Sequence, residues 1–162
     1  MLFCTEKPFN SFPPQICFQE VPDEVSLAFT ITGCPLACAG CHSRDTWDAN
    51  KGEALTDGAF NLWLERYQHL ISCVLFFGGE WHPDALLNKL RIARQAGLRT
   101  CLYTGMDRVP ARLQSQLDYL KTGRWHAELG GLDRVTTNQK FVELGSDNLL
   151  NFRFQENNHV AA

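Results

Sequence analysis

Cys34, Cys38 and Cys41 place three thiols within eight residues, and His42 follows the third. A disulfide would use two of them, so the spacing C-x3-C-x2-C reads as a ligand set. A short loop can fold three thiolates around one metal centre, and thiolate selects zinc or the iron of an iron-sulfur cluster. Zinc held by three cysteines and His42 is one reading, although the adjacency of His42 to Cys41 strains simultaneous ligation. A [4Fe-4S] cluster with three protein ligands is the other, and it would leave one iron open to a small molecule. The spacing alone leaves these two open, together with a loop that binds no metal.

Gly78, Gly79 and Glu80 form a second group. Paired glycines let a ligand approach the backbone, and the carboxylate can accept from an ammonium group. Taken alone the triplet is equally a turn. Its weight comes from position, because it ends an apolar run one helix after the cysteines, and parallel sheets bind ligands at that edge.

The elements that must position these groups follow from periodicity. Residues 25–32, apolar and partly β-branched, predict a strand that feeds the cysteine loop. Thr56 predicts the cap of a helix over residues 57–70, with Phe60, Trp63, Leu64 and Tyr67 at helical spacing. Residues 73–79 predict the next strand, Pro83 opens a helix that runs to residue 96 before Gly97, and residues 99–105 predict a third strand. Strand, helix, strand, helix, strand argues a parallel α/β sheet with right-handed crossovers. A further helix over 110–117 and strands over 118–123, 139–144 and within 149–154 complete the expectation. Either half of a (β/α) barrel or an open sheet satisfies it. Prolines 8, 13, 14 and 22 restrict residues 1–24 to an arm with one short ordered piece near 16–19.

The 162 residues are 44% hydrophobic, enough for one core and short for two, and no repeat is present. Fifteen basic and eighteen acidic residues give a formal charge of -3, which offers a polyanion no general attraction. The scatter Arg91, Arg94, Arg99, Arg108 and Arg112 fits ordinary helix surfaces, so no nucleic-acid role is expected. The opening MLFCTEKPFNSFPPQ lacks the basic start and apolar core of a signal peptide, and no apolar run is long enough to span a bilayer. A cytoplasmic protein without membrane contact is expected, and seven cysteines in a reducing compartment argue against a disulfide framework. Cys4 and Cys17 show no ligand spacing; Cys73 and Cys101 lie in apolar runs and read as buried small hydrophobes. Trp47, Trp63, Trp81 and Trp125 read as packing residues, with only Trp81, beside Glu80, placed to border a ligand.

The motif C-P-L-A-C-A-G-C-H, continued by S-R-D-T-W, closely resembles the radical S-adenosylmethionine (SAM) superfamily. Within it the chain resembles the small activating proteins of anaerobic ribonucleoside-triphosphate reductase. The likeness runs over residues 18–144 and is strongest in QEVPDEVSLAFTITGC, FFGGEWHPDALL, GLRTCLYTG and ELGGLDRVTTNQKF. Gly40 stands where many superfamily members have an aromatic residue, and it matches the activase subgroup. The resemblance implies an incomplete (β/α) radical-SAM-type barrel with mostly parallel strands. It implies a wrapping arm at 1–24, a catalytic domain at 25–155 and a tail at 156–162.

By the same resemblance Cys34, Cys38 and Cys41 would hold three irons of a [4Fe-4S] cluster, and the fourth would chelate the methionine part of SAM. Gly78, Gly79 and Glu80 would contact the SAM amino group, with Tyr103, Thr104 and Gly105 bordering the cofactor. A 5'-deoxyadenosyl radical would then take hydrogen from a glycine in the large subunit of the anaerobic reductase. A reduced flavodoxin or ferredoxin would supply the electron. The absence of a ferredoxin-like insertion favours the small reductase-activating subgroup. Asn138 and Gln139 match a late segment that can bond to substrate backbone or shape a loop; His42 would support the metal site or pack the loop. Two rivals stand beside this reading: a small-molecule radical SAM enzyme resembling 7-carboxy-7-deazaguanine synthase, and a zinc-stabilised protein-interaction module.

Overall fold

Residues 7–155 are described by a computed structural model. The tail at 156–162 and Cys4 lie outside the described residues. Within them the apolar runs become strands β3 (Ser26–Thr30), β5 (Cys73–Phe77) and β6 (Arg99–Tyr103), followed by β7 (Tyr119–Thr122). These four pair in parallel, in the order in which the chain meets them, and form the centre of a seven-stranded sheet.

The helices between them have the expected caps. Helix α1 (Asp57–Tyr67) starts where the Thr56 hydroxyl accepts from the Ala59 N–H at 3.1 Å, and it turns Phe60 and Leu64 inward. Helix α2 (Pro83–Gln95) has proline at its start, buries Leu86, Leu90 and Ala93, and gives way to Gly97 at φ +79. Period-2 alternation then divides the sheet into two faces. Leu27, Phe29, Val74, Phe76, Leu102 and Leu120 pack under the helices. Ala28, Cys73, Leu75, Cys101 and Tyr119 face the other way, covered by Val21, Leu132, Phe141 and Phe154.

The sheet departs from the expected half barrel at both margins. Part of the N-terminal arm supplies β2 (Gln15–Cys17), antiparallel to β3. Another part, β1 (Asn10–Ser11), pairs with β4 (Glu53–Ala54) in a separate ladder, with Pro13 and Pro14 between β1 and β2. At the far side β8 (Lys140–Glu143) and β9 (Asn148–Leu149) are also antiparallel. The two edges, β2 and β9, do not pair with each other, so this is a mixed α/β fold with an open sheet whose centre is parallel.

Two further differences have local causes. Helix α3 (Ala111–Gln114) is a single turn, because the Asp118 N–H must reach the Thr100 carbonyl at 2.9 Å to start β7 beside β6. The end of the chain forms helix α4 (Phe152–Gln155) where a strand was expected. There the Asn151 side chain accepts from Phe141 N–H and donates to the Gln139 carbonyl, both at 2.8 Å, which replaces strand pairing and turns Phe154 onto Phe141.

Candidate active site

The cysteine loop leaves the C-terminal end of β3 and is clamped at its base. Residues Arg44–Thr46 form a 3-10 turn, and the Thr46 carbonyl accepts from the N–H groups of Gly33 at 2.6 Å and Cys34 at 3.2 Å. The R-D-T part of the motif thus closes the loop that R-D-T follows. Inside it Cys41 N–H donates to the Cys38 carbonyl at 3.1 Å, and Cys41 Sγ accepts from Ser43 N–H at 3.4 Å. Leu36 reaches over Gly105, whose missing side chain leaves room: a Cβ there would stand 2.4 Å from Leu36 Cδ1.

The three thiols line one cavity of about 380 Å³, within the usual range of ligand pockets. Gly78, Glu80, Trp81, Tyr103, Thr104 and Gly105 line it as well, so strand ends β5 and β6 meet the loop as predicted. Gly79 is the exception among the predicted residues. It sits behind the lining at φ +108, with Ile31 and the Phe9 ring about 3.2 Å from where a Cβ would stand.

Glu80 is held by one oxygen. Thr104 Oγ1 donates to Glu80 Oε1 at 2.6 Å and accepts from Met106 N–H at 3.0 Å, which fixes the direction of the hydroxyl. Glu80 Oε2 is buried with no hydrogen-bond partner. Burial pushes the carboxyl above its ordinary value, and the Thr104 hydrogen bond, an interaction with Glu80's own backbone N–H and the Lys121 charge offset part of that rise. Burial likewise pushes the Cys34 thiol up; Glu80, Cys38 and Cys41 add to the effect, against a backbone hydrogen bond at Leu36. A bound cation reverses that balance and favours thiolate.

Lys121 is a site residue that sequence reasoning missed. It is 9% exposed, and its Nζ donates to the carbonyls of Gly123 at 3.0 Å and Thr104 at 3.4 Å. Burial lowers its pKa to about 8, with Cys38 and Glu80 acting in the opposite sense. The available signal was alternation: Leu120 faces the helices, so Tyr119 and Lys121 must face the other side at the strand's ligand edge. Trp125 was also missed. It lines the cavity and meets His42 edge-to-face, with ring centroids 5.1 Å apart. Asn138 and Gln139 divide: Gln139 lines the cavity, while Asn138 Nδ2 ties the loop to the Arg124 carbonyl at 3.0 Å. Trp63 stacks on Tyr67 in α1, and Arg44 lies over Trp47.

The donor set suits an iron-sulfur cluster: the three thiols line one cavity, and a cluster takes each thiolate on a different iron. The unpartnered Glu80 oxygen meanwhile offers an acceptor for a cationic group in the same cavity.

The family model for the 4Fe-4S single cluster domain matches residues 25–161. The chain belongs to that family. Over 78 aligned residues the chain is 31% identical to the pyruvate formate-lyase 1-activating enzyme of Escherichia coli K12, covering 44% of this chain and 32% of that protein. The pyruvate formate-lyase-activating enzyme of Clostridium pasteurianum is 32% identical over 78 residues, 44% of this chain and 33% of its own length. The match thus spans about a third of the length of these relatives. No described helix of the 4Fe-4S single cluster domain is long and apolar enough to cross a membrane.

Proposed function

We propose that the chain is a radical SAM activase that generates a glycyl radical on anaerobic ribonucleoside-triphosphate reductase. The observation that carries this reading is Glu80: it lines the cavity that the three thiols line, and its Oε2 is buried with no hydrogen-bond partner. Cys34, Cys38 and Cys41 would each supply one iron of a [4Fe-4S] cluster. Glu80 would accept from the SAM ammonium, and Lys121, which donates to the Thr104 and Gly123 carbonyls, would face its carboxylate. Bound together and reduced by a flavodoxin or ferredoxin, the cluster and SAM would supply the radical chemistry that takes hydrogen from a glycine Cα.

This chain's own residues bind, orient and exclude water. Thr104 aims Glu80, while Trp81, Trp125 and Leu36 wall the cavity with apolar surface. Tyr103, Lys121 and Gln139 also line a second recess of about 350 Å³, bordered by Gln19, Glu20, Leu132 and Phe154. The cofactor cavity therefore has a neighbour in which a segment of a partner protein can lie. Holding the glycine beside the cofactor, with no diffusion step, is what such an arrangement contributes. The motif continued by S-R-D-T-W favours the reductase as partner. Identity to the formate-lyase activating enzymes favours a second reading, in which the partner is a formate-lyase.

Electron paramagnetic resonance of the anaerobically reduced protein with SAM and each partner tests both. A glycine-isotope-sensitive doublet on the reductase, absent with Cys38→Ala, is expected. A doublet on formate-lyase alone moves the assignment to the second reading. SAM cleavage with neither radical overturns the activase reading.

A further inference from the structure

Among the described residues, three that line the cavity each bury a polar atom with no hydrogen-bond partner: Glu80 Oε2, Trp81 Nε1 and Trp125 Nε1. A cationic ligand accounts for the first. The other two are donors, and leaving a buried N–H without its hydrogen bond costs stability, so each calls for an acceptor that arrives with a ligand.

The two indoles occupy matching positions on the cysteine loop. Trp81 Nε1 lies 3.5 Å from where a Cβ on Gly33 would stand, and Gly33 immediately precedes Cys34. Trp125 Nε1 lies 3.6 Å from the corresponding point on Gly40, which immediately precedes Cys41. Both rings are fixed. Trp81 packs its benzo edge against Gly78, where a Cβ would come within 2.4 Å of Cη2, and Trp125 is braced by His42. A side chain at Gly33 or Gly40, each at positive φ, would intrude between indole and loop.

We propose that the indole N–H groups of Trp81 and Trp125 donate hydrogen bonds to the sulfur atoms of the cluster held by Cys34, Cys38 and Cys41, and so set its reduction potential. The inference rests on the cluster reading above. A donor to sulfur stabilises the more negative, reduced cluster over the oxidised one and raises the potential. The redox step itself is one electron passing from a low-potential flavodoxin or ferredoxin to the cluster; the indole protons stay on nitrogen and no bond breaks. The same N–H groups hold the thiolate side of the loop in a defined orientation, as donors around metal ligands do.

Anaerobic reconstitution of the wild type, Trp81→Phe, Trp125→Phe and the double variant tests this, because phenylalanine keeps an apolar ring and removes the N–H. Equal iron and sulfide per chain is expected. In each single variant the reduction equilibrium should shift about tenfold toward the oxidised form, about 59 mV for a one-electron couple, and further in the double variant. Full cluster content with an unchanged potential in all three variants overturns the proposal. Should a phenylalanine variant fail to take up iron, wild-type protein labelled with 15N in its indoles decides. Two side-chain resonances, those of Trp81 and Trp125, should acquire hyperfine shifts on cluster assembly before SAM is added, with Trp63 as the unshifted reference. Shifts that appear only with SAM overturn it, since the acceptor is then the ligand. A wild type that binds no iron instead refutes the cluster reading.

Discussion

A carboxylate with one oxygen bonded and the other buried and bare is a poor stabiliser of the empty protein and a strong acceptor for a cation. Glu80→Gln removes the charge at nearly constant shape. It should weaken SAM binding by about 1.5–3 kcal/mol, the range for hydrogen bonds to charged groups, with iron and sulfide content unchanged. Anaerobic calorimetric titration measures the loss, and an unaltered affinity would exclude Glu80 from ligand contact. Lys121 makes a prediction with a sign. In the folded, cluster-free chain burial lowers its pKa to about 8, whereas an unfolded lysine titrates near 10.4. Below pH 8 both states are protonated and the buried ammonium costs stability. Between the two values the unfolded state binds more protons, so stability rises with pH and the cost is gone above the unfolded value. Lys121→Met should therefore stabilise the cluster-free protein by up to about 3 kcal/mol at pH 7, with the advantage over wild type shrinking toward pH 10. Urea unfolding at a series of pH values measures it. A gap that stays constant with pH would mean that lost packing, and no charge, explains the change.

At the level of elements, the β5 to α2 connection is tightly constrained backbone. Gly78 sits at φ +80 with the Trp81 ring against its Cα face. Gly78→Ala adds both a left-handed backbone penalty and a clash with Cη2, so a loss of about 1–3 kcal/mol is expected in urea unfolding. Gly145, with nothing near a would-be Cβ, is the control and should tolerate alanine. The strands and the first two helices were legible because their signals are local: β-branched runs, Thr56 as a cap, Pro83 at a helix start, Gly97 after its end. Cys34, Cys38, Cys41 and Glu80 were legible because spacing and neighbours mark them. Lys121 and Trp125 were not, since nothing beside them in sequence announces a cavity; only the pairing of β6 with β7 and the return of the chain past residue 123 carry them to the cysteine loop. The helix at Phe152–Gln155 was illegible for a similar reason, because Asn151 takes its partners from β8. Arg94 and Arg112 lie on helices as expected and meet Asp118 and Asp84, whereas Arg99 starts strand β6 and meets Glu24.

At the scale of the whole molecule, the arm and the far end of the chain are joined across the second face of the sheet. Arg153 binds Asp23 through both nitrogens, at 2.8 and 3.0 Å, and Val21 is 1% exposed against Ala28 and its neighbours. Removing residues 1–22 strips β2 from β3 and uncovers that face. The truncated chain should show a large fall in thermal midpoint or fail to accumulate in folded form, measured by circular dichroism. A truncation that melts with the full chain would show that the arm contributes no stability. The exposed Arg153–Asp23 pair itself contributes little, being screened by solvent, so Asp23→Asn should leave the midpoint nearly unchanged.

Burial sorts five of the six described cysteines, all but Cys17, into two populations with different clocks. Cys73 and Cys101 are fully enclosed between the strands and their cover, and burial pushes the Cys73 thiol up to about 12 and the Cys101 thiol well above its ordinary value. An alkylating reagent reaches them only when the sheet comes apart, so their labelling rate counts global openings. Cys34, Cys38 and Cys41, half-buried in a loop at the sheet's edge, react from the native state and fall silent when a metal takes them. A single mass spectrum after pulsed alkylation therefore reads two quantities from one sample: how many molecules carry metal, from the loop peptide, and how many have unfolded, from the two core peptides.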